Sequence, residues 1–193
     1  MSIEKQVYCE IIAQETPKVL RNCHTCKKTM EFYCSEKFRV NAQQKNIDVW
    51  LIYKCVQCAS TWNYPILSRV HTGSINKELH KKFMSNDREV AWIYAFQIEQ
   101  LKKLCGGVNT DIEYLIVGEQ IDVEVESVMI HLSSKYKFDL RLDKVLKEIL
   151  GISRSKLYQI EDHGGIVINP QVGIKSKVKE DLLISIVKGC LKL

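Results

Sequence analysis

The sequence predicts an α+β protein in two parts: a metal-stapled β region continued by helices, then a small C-terminal domain of two helices and a strand. Three observations predict it. Two Cys-x-x-Cys pairs, Cys23/Cys26 and Cys55/Cys58, stand 28 residues apart, and the chain between them alternates as strands do. Apolar residues at helical spacing then run through 75–105. A last stretch, 141–169, reads as helix, turn, helix, strand. At 193 residues the chain holds one large domain or two small ones. The expected division is 1–74, 75–137 and 138–193.

Residues 7–12 alternate apolar with polar, and Thr16-Pro17 breaks the pattern. Cys9 has no spaced partner there and reads as a small buried apolar residue.

The cysteine pairs carry the sharpest chemistry. Two residues between cysteines let one tight knuckle aim both sulfurs at one ion. Two knuckles complete a tetrahedral set of four sulfurs, which suits zinc. Lys27, Lys28 and Lys54 flank the cysteines and offset thiolate charge. Strands are expected at 31–40 and 47–54, with a polar turn at 41–46 and a third strand at 61–67. Knuckle, hairpin, knuckle, strand is a zinc ribbon. Four sulfurs leave no open coordination position, so the expected zinc on Cys23, Cys26, Cys55 and Cys58 is structural. A thioredoxin-like use of Cys-x-x-Cys needs one motif in a βαβ setting instead. His24 and Cys34 are possible substitute ligands, with His24 expected to face solvent.

Asn76 can cap a short helix ending near Met84. Asn86 with Glu89 has capping-box spacing for a longer helix closed by Gly106-Gly107. Ala91, Tyr94, Ala95, Ile98, Leu101 and Cys105 form its inward side. Trp92, Tyr94 and Phe96 cannot share one helix face, so core packing is expected of them rather than stacking on a ligand. Residues 111–138 look extended. Tyr114, Ile116, Ile121, Val123 and Val125 are interleaved with Glu113, Glu119, Asp122, Glu124 and Glu126. Carboxylates alternating along a strand mark its solvated side more often than an acid–base pair. The sequence has no Ser-His-Asp order, P-loop, GxGxxG or HExxH, and no catalytic residue is assigned.

In the C-terminal part Leu142, Val145, Leu146, Ile149 and Leu150 form one helical stripe. Gly151 can take positive φ as the C′ residue, and Ile152 can fold back onto the helix. Ser153 sits where an N-cap belongs, ahead of a second helix with Leu157 and Ile160 inward. Gly164-Gly165 stops it, and 166–168 reads as a strand. Ser153, Arg154, Ser155 and Lys156 gather hydroxyls and cations at a helix N-terminus, where free N–H groups already favour an anion. A phosphate is the natural guest.

The order of these parts resembles the alpha-L RNA-binding domain of small-subunit ribosomal protein S-four. The residues that carry the resemblance are Arg141-Leu142-Asp143, Ser153-Arg154-Ser155, a turn glycine at Gly164 or Gly165, and Val167 with Asn169. It covers roughly 138–193. The chain departs from that pattern at Asn169-Pro170, where such domains usually have Asn-Gly. It departs again at Gln159, Glu161 and Asp162, where the second helix is often basic. A second resemblance, carried by KFRVNA from Lys37, DVWLIYKCVQC from Asp48 and TWN at Thr61, is to a bacterial family known as domain of unknown function 1062. It implies a fold and a bacterial origin but no activity.

Net charge is +5. Residues 1–80 carry eleven basic and seven acidic side chains, 81–137 seven and nine, and 138–193 ten and seven. Two basic ends suit a nucleic-acid partner. No apolar run reaches the length of a membrane span, and the N-terminus lacks a signal peptide's apolar core, so no membrane partner and a cytoplasmic location are expected. In that compartment the eight cysteines are expected to be thiols or metal ligands. The resemblance implies non-catalytic binding of structured RNA, such as ribosomal or transfer RNA. Arg141, Arg154 and Lys156 would grip phosphates, and the ribbon would add a second basic surface. Such contacts supply affinity rather than sequence reading. Two other classes fit the sequence. One is an RNA-modifying enzyme or its accessory protein. The other is a zinc-stabilised protein–protein adaptor, which would show an exposed apolar patch on the ribbon.

Overall fold

Alternation of apolar and polar residues builds two sheets, and amphipathic helices cover parts of them. The computed structural model describes residues 4–119, 121, 127–178 and 181–187. In chain order the strands are β1 (Glu4–Ala13), β2 (Lys18–Cys23), β3 (Lys28–Gln43), β4 (Asn46–Cys55), β5 (Thr61–His71), β6 (Gly107–Asn109), β7 (Tyr114–Gly118), β8 (Ser127–Ser134), β9 (Ile166–Asn169) and β10 (Leu182–Val187). The helices are α1 (Lys77–Met84), α2 (Arg88–Ala95), α3 (Ile98–Leu104), α4 (Leu142–Leu150) and α5 (Arg154–Asp162). This mixed content is compatible with an α+β protein. Among the described residues no helix is long and apolar enough to cross a membrane.

The chain divides into two compact units, one of residues 16–112 and one combining 1–15 with 113–193. The boundaries expected at 74 and 137 fall elsewhere. Helices α1 to α3 stay with the four-cysteine sheet, and the first strand joins the C-terminal part. The reason is that alternation states that Val7, Cys9 and Ile11 need a buried face, but not which strands will supply it.

In the 16–112 unit the sheet order is β5-β4-β3-β2-β6, antiparallel throughout. Val19, Phe32, Cys34, Leu51, Tyr53 and Tyr64 bury one face against Ala91, Ala95 and Leu101 of the helices. A bulge in β3 between Cys34 and Lys37 lifts Glu36 out of register at φ 57. Its Oε1 accepts from Trp92 Nε1 at 2.6 Å and Arg88 Nε at 3.1 Å, tying α2 to the strand. Trp92 is buried and Tyr94 and Phe96 are half-buried, as packing residues are. Asn76 caps α1, accepting from the backbone of Glu78 and Leu79.

The longer helix differs from its expectation. Asp87, not Asn86, caps α2, accepting from Val90 N at 2.9 Å. Asn86 has φ 54 and turns its side-chain oxygen to Phe38 N, 2.7 Å away, a tertiary bond that local spacing does not encode. The helix also breaks at Phe96 and Gln97, and Gln97 supplies no side-chain cap to α3. The break lets Ala91, Ala95 and Leu101 reach one core.

In the other unit the order is β7-β1-β8-β10-β9, with β1 and β8 parallel and the remaining pairs antiparallel. Val7, Cys9, Ile11, Val128, Ile130, Leu132, Ile184 and Ile186 are buried, as are Leu142, Val145, Leu146, Leu157 and Ile160 of the helix pair. Helix α4 approaches β7, and α5 approaches β9. Gly151 ends α4 at φ 65, and Ser153 caps α5 by accepting from Lys156 N. The expected alternation at Asp122, Val123, Glu124, Val125 and Glu126 lies outside the described residues.

Gly118 pairs with Cys9 at the end of β7. A Cβ there would stand 2.5 Å from Tyr8 O and 2.8 Å from Cys9 Sγ. Gly118→Ala is therefore expected to cost about 1–3 kcal/mol in denaturant unfolding, the usual penalty of overpacking. Gly106→Ala, whose methyl would meet Leu20 O at 3.4 Å, should cost much less.

Candidate metal centre and the helix-pair network

The two knuckles are built alike. Cys23 ends β2 and Cys55 ends β4, so each first cysteine is held by a ladder. Lys27 N donates to Cys23 O at 2.8 Å, and Ala59 N donates to Cys55 O at 3.0 Å. Lys27 and Ala59 close their turns at φ 56 and 58. Neither is a glycine, so both turns carry the modest strain of a left-handed residue. Val56 N donates to Glu31 O at 3.0 Å and docks the second knuckle on β3.

This construction brings the Sγ atoms of Cys23, Cys26, Cys55 and Cys58 within 4.8 Å of one another. Cys23 and Cys58 sulfurs are 3.5 Å apart, and those of Cys26 and Cys55 are 3.9 Å apart. A tetrahedral ion with bonds of about 2.3 Å to sulfur needs sulfur separations of about 3.8 Å. The set therefore fits a metal such as zinc. No disulfide joins the seven described cysteines. An ion held there would supply folding energy rather than reactivity, since four sulfurs close its coordination shell. His24 is exposed, and Cys34 is buried among core residues with Glu36 N on its sulfur. Neither joins the set. Burial pushes the Cys34 thiol up to about 12.

Ser60 is a partner the sequence reading missed. Its Oγ lies 3.1 Å from both Cys23 Sγ and Cys58 Sγ. The hydrogen bond with Ser60, helped by the Cys26 N–H, draws the Cys23 thiol down to about 6. Ser60 also lowers Cys58. Cys26 goes the other way, up to about 12, mainly through desolvation. The signal was present as a hydroxyl two residues past the second knuckle, but nothing local says which sulfurs it meets.

The helix pair holds a second polar cluster. Asp143, fully buried, lies at the start of α4. Arg141 grips it with two bonds, Nε to Oδ1 at 3.0 Å and Nη2 to Oδ2 at 2.8 Å. Tyr158 OH donates to Oδ2 at 2.6 Å, and Arg154 Nε stands 3.7 Å from the same oxygen. Burial alone would raise the Asp143 carboxyl; the bonds from Tyr158 and Arg141 and the charge of Arg154 outweigh it and hold it below the usual range. Lys175 Nζ lies 4.8 Å over the Tyr158 ring. Two of the three cations expected to grip phosphate thus lean on a buried carboxylate, with 48% of the Arg141 side chain and 46% of Arg154 exposed. Lys156 Nζ is buried with no hydrogen-bond partner among the described residues, and Ser155 is exposed. Ser153 spends its hydroxyl on the cap. Tyr158 and Lys175 were not foreseen, because their roles depend on how the two helices meet.

Substitutions in the two clusters test this chemistry. Cys55→Ser should abolish any metal found by elemental analysis of the reduced parent protein, and Ser60→Ala should weaken its retention against a chelator by roughly ten- to a hundredfold, the usual effect of losing a partner of a ligand. At neutral pH, Asp143→Asn should cost about 2 kcal/mol, the scale of hydrogen bonds to a charged group. Because the folded pKa of Asp143 is depressed, its contribution is complete above the unfolded value and is lost as pH falls through the folded one. The gap between Asp143→Asn and the parent, measured by urea unfolding, should therefore close on acidification.

No curated protein and no solved structure matches the chain. A family whose description reads "Protein of unknown function (DUF1062)" matches residues 40–172. That span holds the second knuckle, all five helices and the whole Asp143–Arg154–Tyr158 cluster, and begins after the first knuckle. The match takes in well over half of the sequence, and the chain belongs to this family.

Proposed function

We propose that this is a non-catalytic, zinc-containing protein that binds structured RNA, such as ribosomal or transfer RNA, beside the start of α5. The observation that carries the reading is the cationic cluster on the helix pair. Arg141, Arg154 and Lys175 gather around Tyr158, and the Asp143 carboxylate offsets part of their charge. Asp143 and Tyr158 hold Arg141 in one geometry, so less side-chain freedom is lost when a phosphate arrives. Arg141 spends Nε and Nη2 on Asp143 and keeps the remaining guanidinium donors for a ligand. The first turn of α5 adds its unpaired N–H groups. The likeness of Arg141-Leu142-Asp143 and Ser153-Arg154-Ser155 to alpha-L domains points the same way. In this reading zinc on Cys23, Cys26, Cys55 and Cys58 makes the first sheet a rigid ribbon that offers a second basic surface. Lys156 becomes an auxiliary residue, since its amine is enclosed.

Salt dependence tests the reading. Each phosphate contact contributes roughly 0.7–0.9 to the slope of log affinity against log salt. Arg154→Ala with Lys175→Ala should weaken binding to a panel of structured RNAs and flatten that slope by about one to two units. Lys102→Ala with Lys103→Ala, on α3, is the control and should do much less. Equal binding by the two double variants would overturn the proposal.

A further inference from the structure

The sheet β7-β1-β8-β10-β9 has a second face, turned away from the buried set. Tyr8, Leu115, Val117, Val167 and Val187 are exposed on it, Tyr8 by 60%. The register brings its residues together across strands: Glu10 opposite Val117 and Ser133, and His131 opposite Tyr8 and Leu183. A cavity of about 640 Å³ opens there, with Asn169 and Asp181 also contributing to its wall. That volume falls in the range of small-molecule sites, about 300–1,000 Å³.

The chemistry of the wall is one-sided. Among the described residues its charged groups are the carboxylates of Glu10 and Asp181, and none of the lysines or arginines described lines it. Asp181 accepts one backbone bond, from Ser134 N at 3.4 Å. Glu10 is exposed and has no ion-pair partner among the described residues. Such a wall repels phosphates and carboxylates and attracts cations. The Tyr8 and His131 rings stack at 4.5 Å and 13°, giving a flat aromatic wall, and Val117 and Leu183 supply apolar surface. His131 Nε2 is buried and has no hydrogen-bond partner among the described residues, so a nitrogen is left waiting for one. A bare metal ion does not explain the arrangement. Glu10, His131 and Asp181 do not form a group close enough to share one ion, whereas the four cysteines do.

We propose that this cavity binds a small organic cation: an ammonium or guanidinium compound with a short apolar or planar body. Glu10 and Asp181 meet the positive charge, and Tyr8 offers its ring face to the same charge or to the flat body. Val117 and Leu183 cover the apolar portion. His131 Nε2, which has no partner among the described residues, is the acceptor offered to the ligand's N–H. The site is separate in residues and opposite in charge from the Arg141–Arg154–Lys175 cluster, and it does not depend on RNA binding.

Calorimetric titration of the nuclease-treated full chain tests this with three probes: agmatine, tryptamine and indole-3-acetate. The last two share a ring system and differ in the sign of their charge. At least one of the two cations should bind with one site per chain, and indole-3-acetate should not. Glu10→Gln should weaken that binding at least tenfold. His131→Phe, which keeps a ring beside Tyr8 and removes the nitrogen, should weaken it at least threefold. Arg154→Ala with Lys175→Ala should leave it unchanged, which separates this site from the RNA reading. Thermal unfolding confirms that each variant is folded; Glu10 is exposed, so its amide should be tolerated. Absence of binding by both cations, equal binding of indole-3-acetate, or indifference to Glu10→Gln would each overturn the proposal.

Discussion

Convergence of four sulfurs is the constraint on which the 16–112 unit rests. Two chain reversals, otherwise free to choose their own conformation, must each deliver two sulfurs to one point. That demand explains why Lys27 and Ala59 accept left-handed backbone without being glycines. It also explains why the ladders run right up to the knuckles, with Cys23 opposite Lys28 and Lys54 opposite Thr61. An ion there contributes directly to folding. Cys23 and Cys55 belong as much to the apolar core as to the sulfur set, so the site and the core are one structure.

The second unit solves a similar problem with charge. Asp143 sits fully buried where an aliphatic residue would pack at less desolvation cost. Its acceptors are used by Arg141 and Tyr158, with Arg154 close by. These contacts join the residue before α4, the first turn of α4 and two positions on α5. Directional bonds of this kind fix how two short helices cross, which apolar contacts alone leave looser. The same bonds fix where the guanidinium groups point.

What could be read from the sequence was what short spacing encodes. The knuckles, the hairpin between them, the Asn76 and Ser153 caps and the Gly151 stop each depend on residues within a few positions. Three of the misses share one cause, a partner far away in the chain. Asn86 turned from the cap to accept from Phe38 N and left Asp87 to cap α2, Ser60 acquired its meaning from Cys23, and residues 7–12 found partners in β7 and β8. The open-face cavity was hidden for a different reason. Polar residues alternating along strands read as a solvated side, and only register shows that Glu10, His131 and Ser133 share one hollow.

The position of β1 bears on how the chain is made. It is the second strand of its sheet, hydrogen-bonded on both edges, yet both of its partners lie about a hundred residues downstream. The intervening 16–112 unit leaves and re-enters at neighbouring points, where Gln14 N donates to Glu113 O at 2.8 Å. That unit is an insertion into the other. During synthesis from the N-terminus the insert is complete before its host can close. The host's first strand must then wait with both edges bare, and its closing contacts are non-local, the slow kind to form. A four-cysteine insert that folds early would hold the two distant halves of the host sheet close together. It shortens the effective loop between them from about a hundred residues to the width of a single hydrogen-bonded junction.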